Sequence, residues 1–165
     1  MYAFDIATDD KPTLYRDLAA AVDAITTGEG DGIANMANVA ALLWQFLPDL
    51  NWAGFYRTVG EEELVLGPFQ GKAACIRIPF GRGVCGAAAA SGTTQLVADV
   101  HAFPGHIACD ADSRSELVVP VVRGGRVIAV IDLDSPSAAR FDAEDARGVE
   151  RIAALLSDRL QGFGP

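Results

Sequence analysis

The sequence is short of positive charge, of histidine and of long apolar runs. It carries 13 Lys and Arg against 22 Asp and Glu, a net charge of −9. Holding a nucleic-acid backbone takes clustered cations that release its counterions, so nucleic acid is not an expected partner, and neither is an anionic membrane surface. No stretch approaches the ~18 apolar residues of a spanning helix. The run Val84-Cys-Gly-Ala-Ala-Ala-Ala90 is too short and its side chains too small. Met1-Tyr-Ala-Phe-Asp5 lacks the basic and apolar regions of a signal peptide, and the expected location is the cytoplasm. There are only two histidines and three cysteines, with no Cys-x2-Cys knuckle and no His-Glu-x-x-His helix. The usual zinc signatures are therefore missing. Repeats, linkers and low-complexity tracts are missing too.

What is present suits a packed domain. With 165 residues, half of them hydrophobic, the chain can bury a core without staples, and residues 1–165 read as one domain. Leu14, Leu18, Val22 and Ile25 recur at helical spacing. A second helix is expected from an Asp31 N-cap, with the stripe Ile33, Met36, Val39, Leu43 and Phe46 before Pro48. From residue 51 the period shortens. Trp52 to Val59, Glu63 to Phe69, Ala74 to Phe80 and Thr94 to Val100 read as strands. Glu116 to Val122 and Arg126 to Asp132 flank Arg123-Gly-Gly, a hairpin signal. Residues 101–115 form a long loop, a length that usually serves function in a compact domain. A last helix is expected from about Asp142. Terminal helices around five or six mostly hairpin-connected strands make an α+β fold.

Three groups could carry chemistry. Cys75, Cys85 and Cys109 come first. A buried thiol behaves as a small hydrophobe, which suits Cys85 in its Gly/Ala setting and suits Cys109, in the long loop, poorly. His101, His106 and Cys109, completed by Cys75 or Cys85, could alternatively hold zinc. A redox pair with Cys109 as nucleophile is the third possibility, and spacing does not choose among them. The second group is acidic: Glu116, Asp132 and Asp134. Glu116 opens one hairpin strand and Asp132 closes the other, so the two are expected to face each other. Converging carboxylates suit an ammonium group or a metal ion. The third is Asn51-Trp-Ala-Gly-Phe-Tyr56, where Trp52 and Tyr56 share a strand face that packs a core or lines an apolar pocket.

Six ordered blocks then carry a resemblance. They are Asn51-Trp-Ala-Gly-Phe-Tyr56, Leu66-Gly-Pro-Phe-Gln-Gly-Lys-x-Ala-Cys75, Ile78-x-x-Gly-Arg-Gly-Val-Cys-Gly86, Val97-x-Asp-Val-His-x-Phe-Pro-Gly-His-Ile-Ala-Cys-Asp110, Ser113-x-Ser-Glu-Leu-Val-Val-Pro120 and Val130-Ile-Asp-Leu-Asp-Ser-Pro136. Together, over about residues 10 to 160, they resemble the free methionine-(R)-sulfoxide reductases, which are stand-alone GAF-domain enzymes. The resemblance implies a central antiparallel sheet, terminal helices on one face and a loop-covered pocket on the other. It implies that Cys109 attacks the sulfoxide and becomes a sulfenic acid, and that Cys75, with Cys85 as the second choice, condenses with it to a disulfide. Thioredoxin, fed by NADPH and thioredoxin reductase, would reduce that bond. Glu116 would protonate the departing oxygen, and Asp132 and Asp134 would hold the substrate ammonium. Trp52 and Tyr56 would pack on the S-methyl group, with residues 101–115 as a lid. No bound cofactor and no metal are implied, and a homodimer is. The rival readings are a non-catalytic GAF sensor of a small ligand and a zinc-dependent hydrolase using His101 and His106. Against the sensor, Ser135-Pro136 stands where cyclic-nucleotide GAF domains tend to carry Asn-Lys, ahead of Phe141-Asp-Ala-Glu-Asp145.

Overall fold

The computed structural model describes residues 4–6, 8, 10–105 and 111–162. Helices α1 (Lys11–Thr26) and α2 (Gly32–Phe46) open the chain and α4 (Ala143–Leu156) closes it. Each starts at an aspartate whose carboxylate accepts from the first free backbone N–H groups: Asp10, Asp31 and Asp142. The short α3 (Gly83–Ser91) ends at Gly92 in the left-handed conformation. Six strands, β1 (Trp52–Val59), β2 (Glu63–Gly71), β3 (Arg77–Pro79), β4 (Gln95–Val97), β5 (Ser115–Arg123) and β6 (Arg126–Ser135), form one antiparallel sheet in the order β3-β2-β1-β6-β5-β4. Among the described residues no helix is long and apolar enough to cross a membrane.

The sheet separates two cores. Leu18, Val22, Met36, Val39, Ile152 and Leu156 of the long helices cover Phe55, Leu117, Val119, Ile131 and Leu133 on one face. On the other, α3 contributes Val84, Cys85 and Ala88, packed with Trp52, Tyr56, Val118 and Val130. Strand β3 is only three residues long where seven were expected. Strand β4 is likewise three residues, with Val100 already in a 3-10 turn. Ile33, expected in the core stripe of α2, is 45% exposed, while Met36, Val39 and Leu43 are fully buried.

Two register shifts shape the pocket side of the sheet. At the β5–β6 hairpin, Gly124 and Gly125 both take positive φ and pair Arg123 with Arg126. Val122 pairs with Val127, but Val121 pairs with Ala129, so Ile128 is an extra residue in β6. Such a bulge changes which side chains oppose each other from there on. Between β1 and β2, Gly54 pairs with Phe69 and Tyr56 with Leu66, which leaves Gly67 and Pro68 opposite Phe55. Proline is tolerated in a strand at such an irregularity, where no ladder bond is asked of it.

Helices α1 and α4 are joined through a buried carboxylate. Asp145 accepts from the Tyr15 hydroxyl (2.8 Å), from Lys11 Nζ (2.6 Å) and from the Asp142 backbone N–H (2.9 Å), with Arg140 Nη1 at 3.3 Å. Gly148 lies one turn on, and a Cβ there would come within 2.1 Å of the Tyr15 ring. Removing Asp145 strands two cations and a phenol together. Asp145→Ala is expected to cost about 3–5 kcal/mol in urea unfolding, against about 1 kcal/mol for Asp142→Ala at the exposed cap. Equal losses in the two variants would contradict the buried network.

Candidate active site

The pocket face of the sheet is built from β1 outward. Trp52 and Tyr56 share it, as their spacing predicts, and both are almost fully buried. The Trp52 ring stacks on Tyr56 (centroids 5.8 Å apart) and on Phe69 (5.2 Å). Gly54, between them, makes this possible: a Cβ there would meet Phe69 Cβ at 2.4 Å and the Trp52 ring at 2.8 Å. Trp52 Nε1 donates to the Lys72 carbonyl (3.1 Å) and the Tyr56 hydroxyl to the Cys75 carbonyl (3.0 Å). The aromatic wall thus pins the segment that leads to β3. Trp52, Tyr56, Lys72, Ala73, Ala74, Asp132 and Asp134 line a small, tightly closed cavity.

Glu116, Asp132 and Asp134 lie on this same face, brought there by the hairpin register. Glu116 does not sit opposite Asp132, as the strand ends suggested. Its partner is Asp134, and Asp132 pairs with Val118 on β5 and with Gly54 on β1. The expectation put Arg123-Gly124-Gly125 in the turn; Arg123 instead pairs with Arg126, which moves the partner by one residue, and the bulge at Ile128 moves it by a second. Glu116 and Asp132 meet diagonally instead, through a side-chain hydrogen bond. Both are buried. Burial, with the charges of Asp132 and Asp134 added to it, pushes the Glu116 carboxyl well above its ordinary range. Burial also lifts Asp132, to about 6, although hydrogen bonds from Cys85 and Glu116 oppose the shift. The neighbouring carboxylates favour the protonated form of Glu116. Oδ1 of Asp132 has no hydrogen-bond partner among the described residues.

The cysteines part company here. Cys85 is a free, buried thiol in the first turn of α3, hydrogen-bonded to Asp132. Burial, reinforced by the Asp132 and Glu116 charges, pushes it well above the usual thiol range. Its place depends on Gly86, where a Cβ would fall 2.5 Å from the Pro79 carbonyl oxygen. Cys75, just before β3, is disulfide-bonded. Cys109 and His106 lie outside the described residues, as does the middle of the expected 101–115 lid. His101 is exposed on the 3-10 turn Val100–Ala102. Sequence reasoning missed Gly54, Phe69 and the association of Cys85 with the acids. A glycine inside a strand pattern signals close approach and could have flagged Gly54; no local signal joins Cys85 to residues 116 and 132. Phe141 and Asp145, the ends of the sensor-like motif, serve the helical face and its ion pairs instead.

Raised carboxyl groups act on stability as well as chemistry. The folded protein holds protons on Asp132 and Glu116 that the unfolded chain releases near pH 4. Their contribution is therefore fully present below that range and is lost as pH climbs through the folded values, about 6 for Asp132. Asp132→Asn is expected to be more stable than the parent at pH 7.5, by on the order of 2 kcal/mol, with the gap closing by pH 4. Urea unfolding at the two pH values measures it, and a gap that does not change with pH would refute the buried charge.

Comparison with known proteins gives this arrangement a family. A GAF-domain profile matches residues 36–161. The free methionine-R-sulfoxide reductase of Escherichia coli is 50% identical over 151 residues, 92% of this chain and 91% of that protein. The yeast (Saccharomyces cerevisiae) enzyme of the same name is 41% identical over 155 residues, 90% of this chain and 86% of that one. Among solved structures, the free methionine-R-sulfoxide reductase of Neisseria meningitidis, in complex with its substrate, superimposes with a TM-score of 0.94 at 46% identity, covering 98% of this chain and 96% of that one. An α+β sheet of six antiparallel strands, two cores and a loop-side pocket, together with identity at this level along nearly the whole chain, makes this protein a member of the GAF-domain free methionine-R-sulfoxide reductase family.

Proposed function

We propose that the chain reduces free L-methionine-(R)-sulfoxide to L-methionine, with thioredoxin as the final electron donor. The observation that carries this is the buried acid pair Glu116–Asp132, with Asp134 beside it, under the Trp52–Tyr56 wall. A sulfoxide oxygen leaves only once protonated, and a carboxyl raised above its ordinary range by burial can supply that proton; Glu116 would take that role. Asp132 and Asp134 would bind the ammonium that distinguishes a free amino acid from a methionine in a peptide. A peptide substrate would leave these acids unpaired in a closed pocket, a penalty that enforces selectivity. The aromatic wall would take the S-methyl group and select the R configuration by shape.

The redox steps fall to the cysteines. Cys109 sulfur attacks the sulfoxide sulfur while Glu116 protonates the oxygen, and collapse gives methionine and a Cys109 sulfenic acid. The thiol of Cys75 then displaces water to form a disulfide. A thioredoxin dithiol reduces that disulfide, becoming oxidised itself. The disulfide at Cys75 supports it as the resolving residue, since Cys85 remains a thiol. Such thiol cycling needs a reducing compartment, in keeping with the cytoplasm. For assembly we favour a homodimer. Helix α2 carries no charged side chain and leaves Ile33 and Trp44 45% and 40% exposed, an apolar face that suits a second copy as its cover.

NADPH consumption coupled through thioredoxin reductase and thioredoxin tests the reaction. The free R epimer is expected to turn over, with the S epimer and N-acetylated R form at least about 100-fold poorer. Cys109→Ser should abolish turnover. Glu116→Gln should lower kcat by about 10²–10⁴ with little change in KM, whereas Asp134→Asn should act mainly on KM. No turnover by folded, reduced protein would favour the sensor reading. For the assembly, Trp44→Glu is expected to halve the mass seen in sedimentation; a parent protein that sediments as a monomer rules the dimer out.

A further inference from the structure

One residue in the pocket has no part in the proposed reaction. Cys85 is neither the attacking nor the resolving thiol, yet it lies in the acid cluster, buried with Glu116 and Asp132. One ligand atom of each of the three lies within 4.8 Å of the other two. An ammonium group has little use for that sulfur, which is a weak hydrogen-bond acceptor. A borderline-soft divalent cation has every use for it. A second observation points to a missing cationic partner: Asp132 Oδ1 is buried and has no hydrogen-bond partner among the described residues.

We propose that Cys85, Glu116 and Asp132 form a zinc-binding site at the floor of the pocket, through which Zn²⁺ competes with the substrate. Tetrahedral zinc with bonds of about 2.0–2.3 Å sets its ligand atoms about 3.3–3.5 Å apart. Side-chain rotation of three neighbouring groups covers the remaining ångström or so. The donor set is one thiolate and two carboxylates, leaving a fourth position for water, the pattern of a site that keeps an open coordination place. Binding displaces the protons of Cys85 and Glu116, and the dication offsets the three negative groups that this leaves together. Asp132 also lines the cavity, which provides the entry path. Neither histidine belongs to this site, which distinguishes it from the zinc arrangement that spacing suggested around residues 101–109. The competition with substrate rests on the ammonium reading of Asp132 and Asp134; the site itself does not.

Cobalt is the probe, because a thiolate bound to Co²⁺ gives an intense near-ultraviolet charge-transfer band. Co²⁺ is titrated into the reduced parent protein and into Cys75→Ser/Cys109→Ser, in which Cys85 is the remaining thiol, with a phosphine reductant. Displacement by Zn²⁺ then yields the zinc affinity. A one-equivalent band is expected in both proteins. It should disappear in Cys85→Ser and require at least about tenfold more metal in Glu116→Gln and Asp132→Asn. No band in the parent, or a band that survives Cys85→Ser, overturns the proposal. Circular dichroism on each variant separates loss of a ligand from loss of fold, and the parent result stands if a variant misfolds. L-methionine, but not N-acetyl-L-methionine, should weaken zinc binding at least tenfold. A full band that methionine leaves untouched keeps the zinc site and removes the ammonium from these carboxylates.

Discussion

One extra residue in β6 decides which side of the sheet Asp132 and Asp134 face. Across an antiparallel pair, directly opposed residues point to the same side, and alternation does the rest. From the Gly124–Gly125 turn, a regular ladder would pair Glu116 with Leu133 and send the Asp132 and Asp134 carboxylates toward the helices. The bulge at Ile128 moves the pairing by one, to Asp134, and places Glu116, Asp132 and Asp134 together on the pocket side. The shift between β1 and β2 does the same for Phe69, turning it onto Trp52. Pocket and acid cluster are both products of irregularities in the sheet. The regular stretches on either side make the scaffold that holds them.

That placement works against folding. Three acidic groups are gathered on one face, two of them buried, with no basic side chain lining the cavity among the described residues except Lys72 at its edge. Protonation of Glu116 relieves part of the repulsion, and the thiol hydrogen bond to Asp132 relieves a little more. The rest is offset on the far side of the sheet, where an aliphatic core spans three helices and Asp145 is saturated by Tyr15, Lys11 and Arg140. The two faces divide the labour. One holds the molecule together and the other holds charge in a place water would not choose for it.

Much of the fold is legible in the sequence. The helical stripes of α1 and α4, the caps at Asp31 and Asp142, the glycine hairpin and the shared face of Trp52 and Tyr56 all follow from local periodicity and local chemistry. The pairing of Glu116 is not legible, because a bulge leaves no mark in a strand whose residues are all apolar; Val127 to Ile131 alternates equally well in either register. The length of β3 is overestimated because alternation persists through residues 74–76, where the Cys75 carbonyl is taken by the Tyr56 hydroxyl rather than by a ladder bond. Cys85 is the clearest case. Its neighbours are glycine and alanine, and its meeting with Asp132 depends on how closely α3 approaches Pro79, a long-range fact that Gly86 permits but does not announce.

The two tryptophans stand in opposite surroundings. Trp52 is sealed between Tyr56 and Phe69, beside the carboxylates, while Trp44 lies 40% exposed on the outer side of α2. The intrinsic emission of the unlabelled protein therefore splits into a short-wavelength component from the pocket wall and a long-wavelength component from the helix surface. Occupancy of the pocket should register on the first and a neighbour covering α2 on the second. The molecule carries two optical reporters, one for each of its surfaces of interest.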